Sequence, residues 1–303
     1  MIAFQRLDPQ KKDELLHLFS QTGRVSCEYS FVNMFLWGRQ HGAILDGYLC
    51  FFSHFRGKSI YLFPVGTGPL KPVIDALRID ARQRGIPLRL YGLSPEDCRT
   101  MESLYPGLCH FRSDRDGADY VYTIDHLADL KGRNYQQKRN HINRFLDACP
   151  NWHTEEIRPE NQAQCLELAH KWYQAHREQE PENDDHLEQL ALERAFRHYE
   201  DLGLMGLILY SDETPVAFTV GSFLTDTVVD VHFEKAEGEI PGAYPMINRE
   251  FARYIRSRFP QVTHLDREDD MGLPGLRKAK LSYHPDMLVE KYRCVLLEEP
   301  NEA

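Results

Sequence analysis

The apolar and polar positions of this chain switch between two periods, and the switches divide it into alternating helices and strands. Asp8 and Pro9 open a helical pattern that runs to about residue 19, with apolar positions gathered at its end. Residues 29–37, YSFVNMFLW, predict an aromatic-rich helix. Residues 48–55 and 60–65 predict strands, and Gly68 with Pro69 opens a helix to about residue 84. A short strand at 88–91 and a helix at 95–105 follow. Residues 118–124 alternate as a strand should.

The pattern then changes. A basic helix is expected at 135–148, a strand at 152–157 and a helix at 160–177. The acidic stretch 178–185 reads as a loop, and a further helix ends near residue 202. Three strands follow at 204–210, 215–223 and 227–234, with turn residues at 211–212 and 225–226. A helix at 244–259, a strand at 262–266, a helix at 274–283 and a strand at 289–297 complete the chain. The change of composition near Asp125 divides it into 1–125 and 126–303. The expected class is α/β with mixed sheets. The second half repeats the element order of a GNAT acyltransferase, an analogy of fold and not of chemistry. No short-period repeat is visible.

Composition narrows the setting. The 303 residues carry a formal net charge of -10, and such a chain repels nucleic acid and anionic membranes as a whole. A polyanion must therefore meet a local basic patch. The opening MIAFQRLDPQKKDELL lacks the pattern of a signal peptide, and no apolar run reaches the roughly 18 residues of a membrane span. The 7 cysteines are scattered without C-x-x-C spacing, as expected of reduced thiols in a cytoplasmic protein. The 14 histidines show no metal spacing, so no metal is expected.

Three stretches can carry chemistry. The first holds Lys131, Arg133, Lys138, Arg139, His141 and Arg144 without an acid between Lys131 and Arg144. Lys138, Arg139 and Arg144 are candidate phosphate contacts for a tRNA, a coenzyme or a lipid headgroup; a solvated face opposite the acidic loop is the alternative. The second is the strand-loop-helix around Gly242, Ala243 and Tyr244, where free N–H groups and the helix dipole could hold an anion. A GNAT pyrophosphate loop has a basic or amide residue and a second small residue here. This chain has Glu239 and Tyr244 instead.

The third runs from Leu265 to Pro285, LDREDDMGLPGLRKAKLSYHP. Asp266, Glu268, Asp269 and Asp270 cluster after a strand, and clustered carboxylates raise one another's pKa toward that of a general base. Gly272, Pro274 and Gly275 shape a turn. Arg277, Lys278 and Lys280 follow as candidate substrate contacts, and Tyr283 is a candidate acid. A capped, solvated turn would explain the charge order, though not the glycine and proline density. P-loop, G-x-S-x-G, H-E-x-x-H and G-x-G-x-x-G motifs are absent.

Together KGRNYQQKRNHINR at 131–144, AYPMINREFA at 243–252 and REDDMGLPGLRKAKLSYHP at 267–285 resemble the C-terminal-domain family of bacterial phosphatidylglycerol lysyltransferases. The altered pyrophosphate loop and the basic helix favour aminoacyl-tRNA over acyl-CoA as the donor. The resemblance implies tandem GNAT-like domains, as in Fem-type aminoacyltransferases. It implies no tightly bound cofactor. It also implies that Lys138, Arg139 and Arg144 meet tRNA, that Glu268 and Asp269 form the base region, and that Arg277, Lys278 and Lys280 meet the conjugate or a lipid headgroup. The acceptor would be a small molecule, a lipid headgroup or a peptide. Lipid-modifying members carry a membrane-spanning portion that this sequence lacks. Two other readings remain open: an acetyl-CoA-dependent enzyme, which needs a wedge between strands near Phe218 and Val231, and an inactive module that binds tRNA or peptide.

Overall fold

The computed structural model describes residues 1–12, 15, 19, 23–38, 40–55, 57–179 and 185–298. The chain forms two compact units. The first comprises Met1–Asp119, Asp269–Leu273 and Val289–Ala303; the second comprises Tyr120–Glu268 and Pro274–Leu288.

The first unit is built on a seven-stranded sheet in the order Gln5–Arg6, Gln40–Leu45, Tyr48–Phe55, Lys58–Gly66, Leu88–Leu93, Tyr292–Leu296, Cys109–Ser113. All neighbours are antiparallel except Lys58–Gly66 and Leu88–Leu93. A parallel pair needs a crossover, and helix Leu70–Gln83 supplies it. That helix buries Val73, Ile74, Leu77 and Ala81 in a core with Tyr61, Phe63, Leu88 and Leu90. Helix Pro95–Leu104 starts at Ser94 with a reciprocal capping box to Asp97, which satisfies two N–H groups that a helix start leaves open.

The second unit repeats the plan: Met287–Val289, Asp119–Thr123, His264–Asp266, Val228–Ala236, Thr214–Thr225, Met205–Ser211, Trp152–Glu156. Its parallel pair is Val228–Ala236 with His264–Asp266, joined through helix Ala243–Arg258. Met246, Ile247, Phe251, Ala252 and Ile255 of that helix pack in the core with Ile142 and Phe145 of helix Gln136–Ala148.

The sheets differ from the sequence reading in one consequential way. Each sheet takes its strand next to the parallel pair from the other half of the chain: Tyr292–Leu296 enters the first sheet and Asp119–Thr123 the second. The contact division therefore falls between Asp119 and Tyr120 rather than at Asp125, and the C-terminal segment returns to the first unit. The single strand expected at 289–297 is two strands in two sheets. Strands Gln40–Leu45 and Cys109–Ser113 were not signalled, because QHGAIL and CHFRS are half-exposed and lack apolar alternation. Helix Ile124–Asp129 is too short to show a period. Much of the expected helix at 8–19 and most of the acidic loop at 178–185 lie outside the described residues; Pro9–Lys11 forms a 3-10 turn capped by Asp8.

Candidate functional site

In the second sheet the parallel ladder lasts three residues. Val228, Val229 and Asp230 face His264, Leu265 and Asp266, and then the strands part. The chain turns away as Arg267 N–H bonds to Tyr120 O and Glu268 N–H bonds to Asp266 Oδ1 at 2.9 Å, with Glu268 in the left-handed region at φ 55. On its other edge Val228–Ala236 stays paired with Thr214–Thr225. The register slips twice there; at the first slip Val220 faces Phe233 and Gly221 faces Val231, so His232 is the extra residue of a bulge. A wedge near Phe218 and Val231 is thus not formed. The opening lies one strand further along, beyond Asp230 and Asp266.

Glu234 organises one side of this splay. Its Oε1 accepts from Arg267 Nη2 at 2.8 Å and its Oε2 from Asn248 Nδ2 at 3.2 Å. Thr219 is its cross-strand partner, so the two side chains share a face. Arg267 approaches the ring of the buried Tyr283 to 4.9 Å, and Lys138 Nζ lies 3.7 Å from the same centroid. Tyr122 meets that ring edge-on at 6.3 Å. Burial, and then Arg267, bring the Lys138 ammonium down to about 8, while Glu234 works the other way. Burial holds the Tyr283 phenol well above its usual value, so it keeps its proton. Among the described residues, Arg267 Nη1, Asn248 Oδ1 and Thr219 Oγ1 are buried without a hydrogen-bond partner. Buried polar atoms are nearly always paired, and three orphans around one carboxylate mark a place shaped for a polar group.

A second network includes His232. Its Nε2 is 2.8 Å from Ser222 Oγ, and its Nδ1 is 3.2 Å from Glu268 Oε1 and 3.6 Å from Asp230 Oδ2. Asp230 and Asp266 are fully buried, whereas the Glu268 side chain keeps 20% of its surface. Glu268 is therefore the carboxylate of this set that a reactant can reach. Asp230, His232 and Glu268 bring three potential metal-ligand atoms together, as do Cys27, Glu28 and Asp119 in the first unit. In the latter the Lys291 ammonium already lies among them.

The expected site residues divide. Lys138, Glu268 and Tyr283 flank the splay. Arg139 instead donates to the carbonyls of Leu130 and Gly132 and to Gln136 Oε1, closing the end of helix Ile124–Asp129. Arg144 is exposed on helix Gln136–Ala148. Gly242 sits at φ 79, and a Cβ there would lie 2.0 Å from His141 O, so that helix packs directly on the expected anion loop. Ala243 is buried, Pro245 has no N–H, and Met246 N–H is spent on Gly242 O. Tyr244 OH accepts from Trp172 Nε1 at 2.7 Å.

The acidic run is divided between the units. Asp269 accepts from Met271 N–H, and the buried Asp270 accepts from Gly272 N–H and meets Arg115, all within the first unit. Arg277 and Lys278 line an open depression of about 550 Å³ with Pro274, Leu281 and Ser282. Lys280 turns inward, and its Nζ donates to the Arg267 carbonyl. Sequence reasoning missed Glu234, Asn248, Arg267, His232 and Ser222. The available signal was a polar residue at alternate places in VVDVHFEKA, an interior strand of otherwise apolar character.

The comparisons with known proteins agree with this plan. A protein of unknown function from Bacteroides thetaiotaomicron VPI-5482 is 36% identical, with a TM-score of 0.92 over 98% of this chain and all of that one. L-PGS from Bacillus licheniformis is 14% identical, with a TM-score of 0.68 over 99% of this chain and 96% of that one. FemX is 11% identical, with a TM-score of 0.61 over 98% of each chain. The last two speak for fold alone, and with the two repeated sheets they make it a tandem of GNAT-like α/β domains. An uncharacterised protein of Mycoplasmoides gallisepticum is 26% identical over 180 residues, 57% of this chain. The chain spans about half the length of that curated relative, with 54% of it matched. No described helix is long and apolar enough to cross a membrane. Residues 19–295 match the family described as phosphatidylglycerol lysyltransferase, C-terminal, and the chain belongs to that family.

Proposed function

We propose that this chain is an aminoacyltransferase that moves an aminoacyl group from aminoacyl-tRNA to a hydroxyl or amine on a lipid headgroup, small molecule or peptide. One observation carries the reading. The splay brings acceptors for an α-ammonium (Glu234, Asn248 Oδ1, Thr219 Oγ1) beside donors for a carbonyl or phosphate (Arg267 Nη1, Lys138). An aminoacyl ester carries both kinds of group within a few atoms. Family membership supports the reaction class, and the FemX fold is consistent with a peptide acceptor.

In this reading Glu268 takes the proton of the acceptor, whose oxygen or nitrogen then attacks the ester carbonyl. Arg267 and a backbone N–H of the neighbouring strands stabilise the oxyanion. Tyr283, still protonated at neutral pH, gives its proton to the departing ribose oxygen. Arg144 and Lys278 supply exposed charge for the polyanionic donor, and the half-buried Arg277 lies beside Lys278.

An acyl-CoA donor is the second reading, favoured by the splay itself, which could admit a thin acyl arm. The packing of His141 on Gly242, and the missing N–H of Pro245, argue against a pyrophosphate grip beside it. The test offers purified protein total tRNA charged with labelled amino acids, then labelled acetyl-CoA, each with phosphatidylglycerol vesicles or an amine-bearing peptide. Label leaving the tRNA for lipid or peptide is the expected result. Transfer from acetyl-CoA alone would replace the reading by the second one, and transfer from neither would end both.

A further inference from the structure

The first unit buries a polar cluster that the proposed reaction does not use. Lys291 Nζ lies 2.5 Å from Glu28 Oε2, 2.7 Å from Asp119 Oδ1 and 3.4 Å from Cys27 Sγ. Cys27 Sγ is also 3.2 Å from Asp119 Oδ1 and 3.6 Å from Glu28 Oε2, and Cys27 N–H donates to Asp119 Oδ2 at 3.0 Å. Cys27 keeps 5% of its surface and Lys291 keeps 2%. A thiol and an amine, the two strongest nucleophiles among the side chains, are thus in contact with two carboxylates, one of which, Asp119, is placed to receive a proton from either. Of the other six cysteines, Cys50, Cys165 and Cys294 are wholly buried with thiols pushed up by burial, which keeps them inert.

We propose that Cys27 and Lys291 form a peroxide-sensitive modification site that closes into a covalent sulfenamide bridge. Asp119 accepts the thiol proton as the sulfur attacks hydrogen peroxide. The O–O bond breaks, one oxygen stays on sulfur as sulfenic acid and the other leaves as water. Sulfenic acids condense with a neighbouring thiol or nitrogen, and the nitrogen in contact here is Lys291 Nζ. Asp119, having passed the thiol proton to the departing hydroxide, takes one from the Lys291 ammonium 2.7 Å away. The freed lone pair attacks sulfur, the S–O bond breaks, and hydroxide leaves as water after taking up a proton from the newly bonded nitrogen. One thiol, one ammonium and one peroxide give the bridge, two waters and a free proton; sulfur loses two electrons and peroxide gains them. Burial pushes the Asp119 carboxyl up, which suits it to hold the transferred proton.

Closure changes the cluster as well as the connectivity. It ties position 27 to position 291 and converts an ammonium into a neutral nitrogen, so Glu28 and Asp119 lose their shared counter-charge. Two thiols of a reductant restore the starting groups.

The full chain and the Cys27→Ser variant are treated with hydrogen peroxide, digested and mapped by mass spectrometry. The expected product is a pair of peptides joined through Cys27 and Lys291, lighter by two hydrogen atoms than their sum. Dithiothreitol releases it, and Cys27→Ser lacks it. In Lys291→Arg, Cys27 should instead proceed to sulfinic or sulfonic acid. The proposal fails if wild-type Cys27 is recovered over-oxidised with Lys291 free, in a disulfide with another cysteine, or unmodified.

Discussion

Lys138 holds its Nζ 3.7 Å from the centroid of Tyr283, on a ring that Arg267 approaches to 4.9 Å. Two cations on one buried ring repel each other, and the single carboxylate beside them, Glu234, offsets part of that. The arrangement is costly until something negative arrives.

The first prediction follows from the Lys138 ammonium, brought to about 8 from an ordinary 10.5. If the cation stabilises the oxyanion, transfer falls as pH rises through about 8, and Lys138→Arg removes that falling limb. Stability moves the other way. The folded state releases this proton before the unfolded chain does, so stability rises between about pH 8 and 10.5. Across that window the wild-type melting temperature should rise relative to that of Lys138→Met, which lacks the titrating group. An identical slope in both would remove Lys138 as the titrating group.

Glu234→Gln leaves the Arg267 guanidinium buried without its carboxylate. A buried charge stripped of its partner costs about 3–5 kcal/mol. Urea unfolding should show a lower midpoint. Adding Arg267→Met should recover much of the loss, because the uncompensated charge goes with it.

Gly242→Ala places a methyl 2.0 Å from His141 O at φ 79, a conformation that side chains rarely adopt. The loss should exceed about 1 kcal/mol, more than the gain glycine replacement gives at a compatible site. A midpoint unchanged from wild type would show that the helix Gln136–Ala148 yields easily there.

Arg144→Glu with Lys278→Glu alters an exposed surface, so stability should stay within about 0.5 kcal/mol of wild type. Binding of charged tRNA should weaken, and its dependence on salt should become shallower. Filter binding at two salt concentrations reads both. An unaltered salt slope would take these two residues out of the donor surface.

The second half of the fold was legible because its strands and helices are long and its turns polar: residues 204–234 read as three strands and are three strands. Lys138 and Glu268, which flank the splay, were legible as candidates because charge stands out in a sequence. Glu234 and Arg267 were not, since their meaning depends on a ladder that stops at Asp230. Lys280 shows the converse. Its charge promised a surface contact, and its side chain turns inward to a carbonyl. The strand exchange was invisible for a related reason: residues 119–123 and 292–296 look like ordinary strands, and local pattern does not say which sheet a strand joins.

That exchange sets an order on folding during synthesis. The first sheet has a place between Leu88–Leu93 and Cys109–Ser113 that only Tyr292–Leu296 fills. Until residues 292–296 have left the ribosome, the first unit holds an incomplete sheet with open edges, the state most exposed to aggregation. The second sheet also waits for a late piece, the edge strand Met287–Val289 beside Asp119–Thr123, but that strand is made before Tyr292–Leu296. Domains usually fold in the order they emerge; in this protein the second sheet has all its strands before the first does.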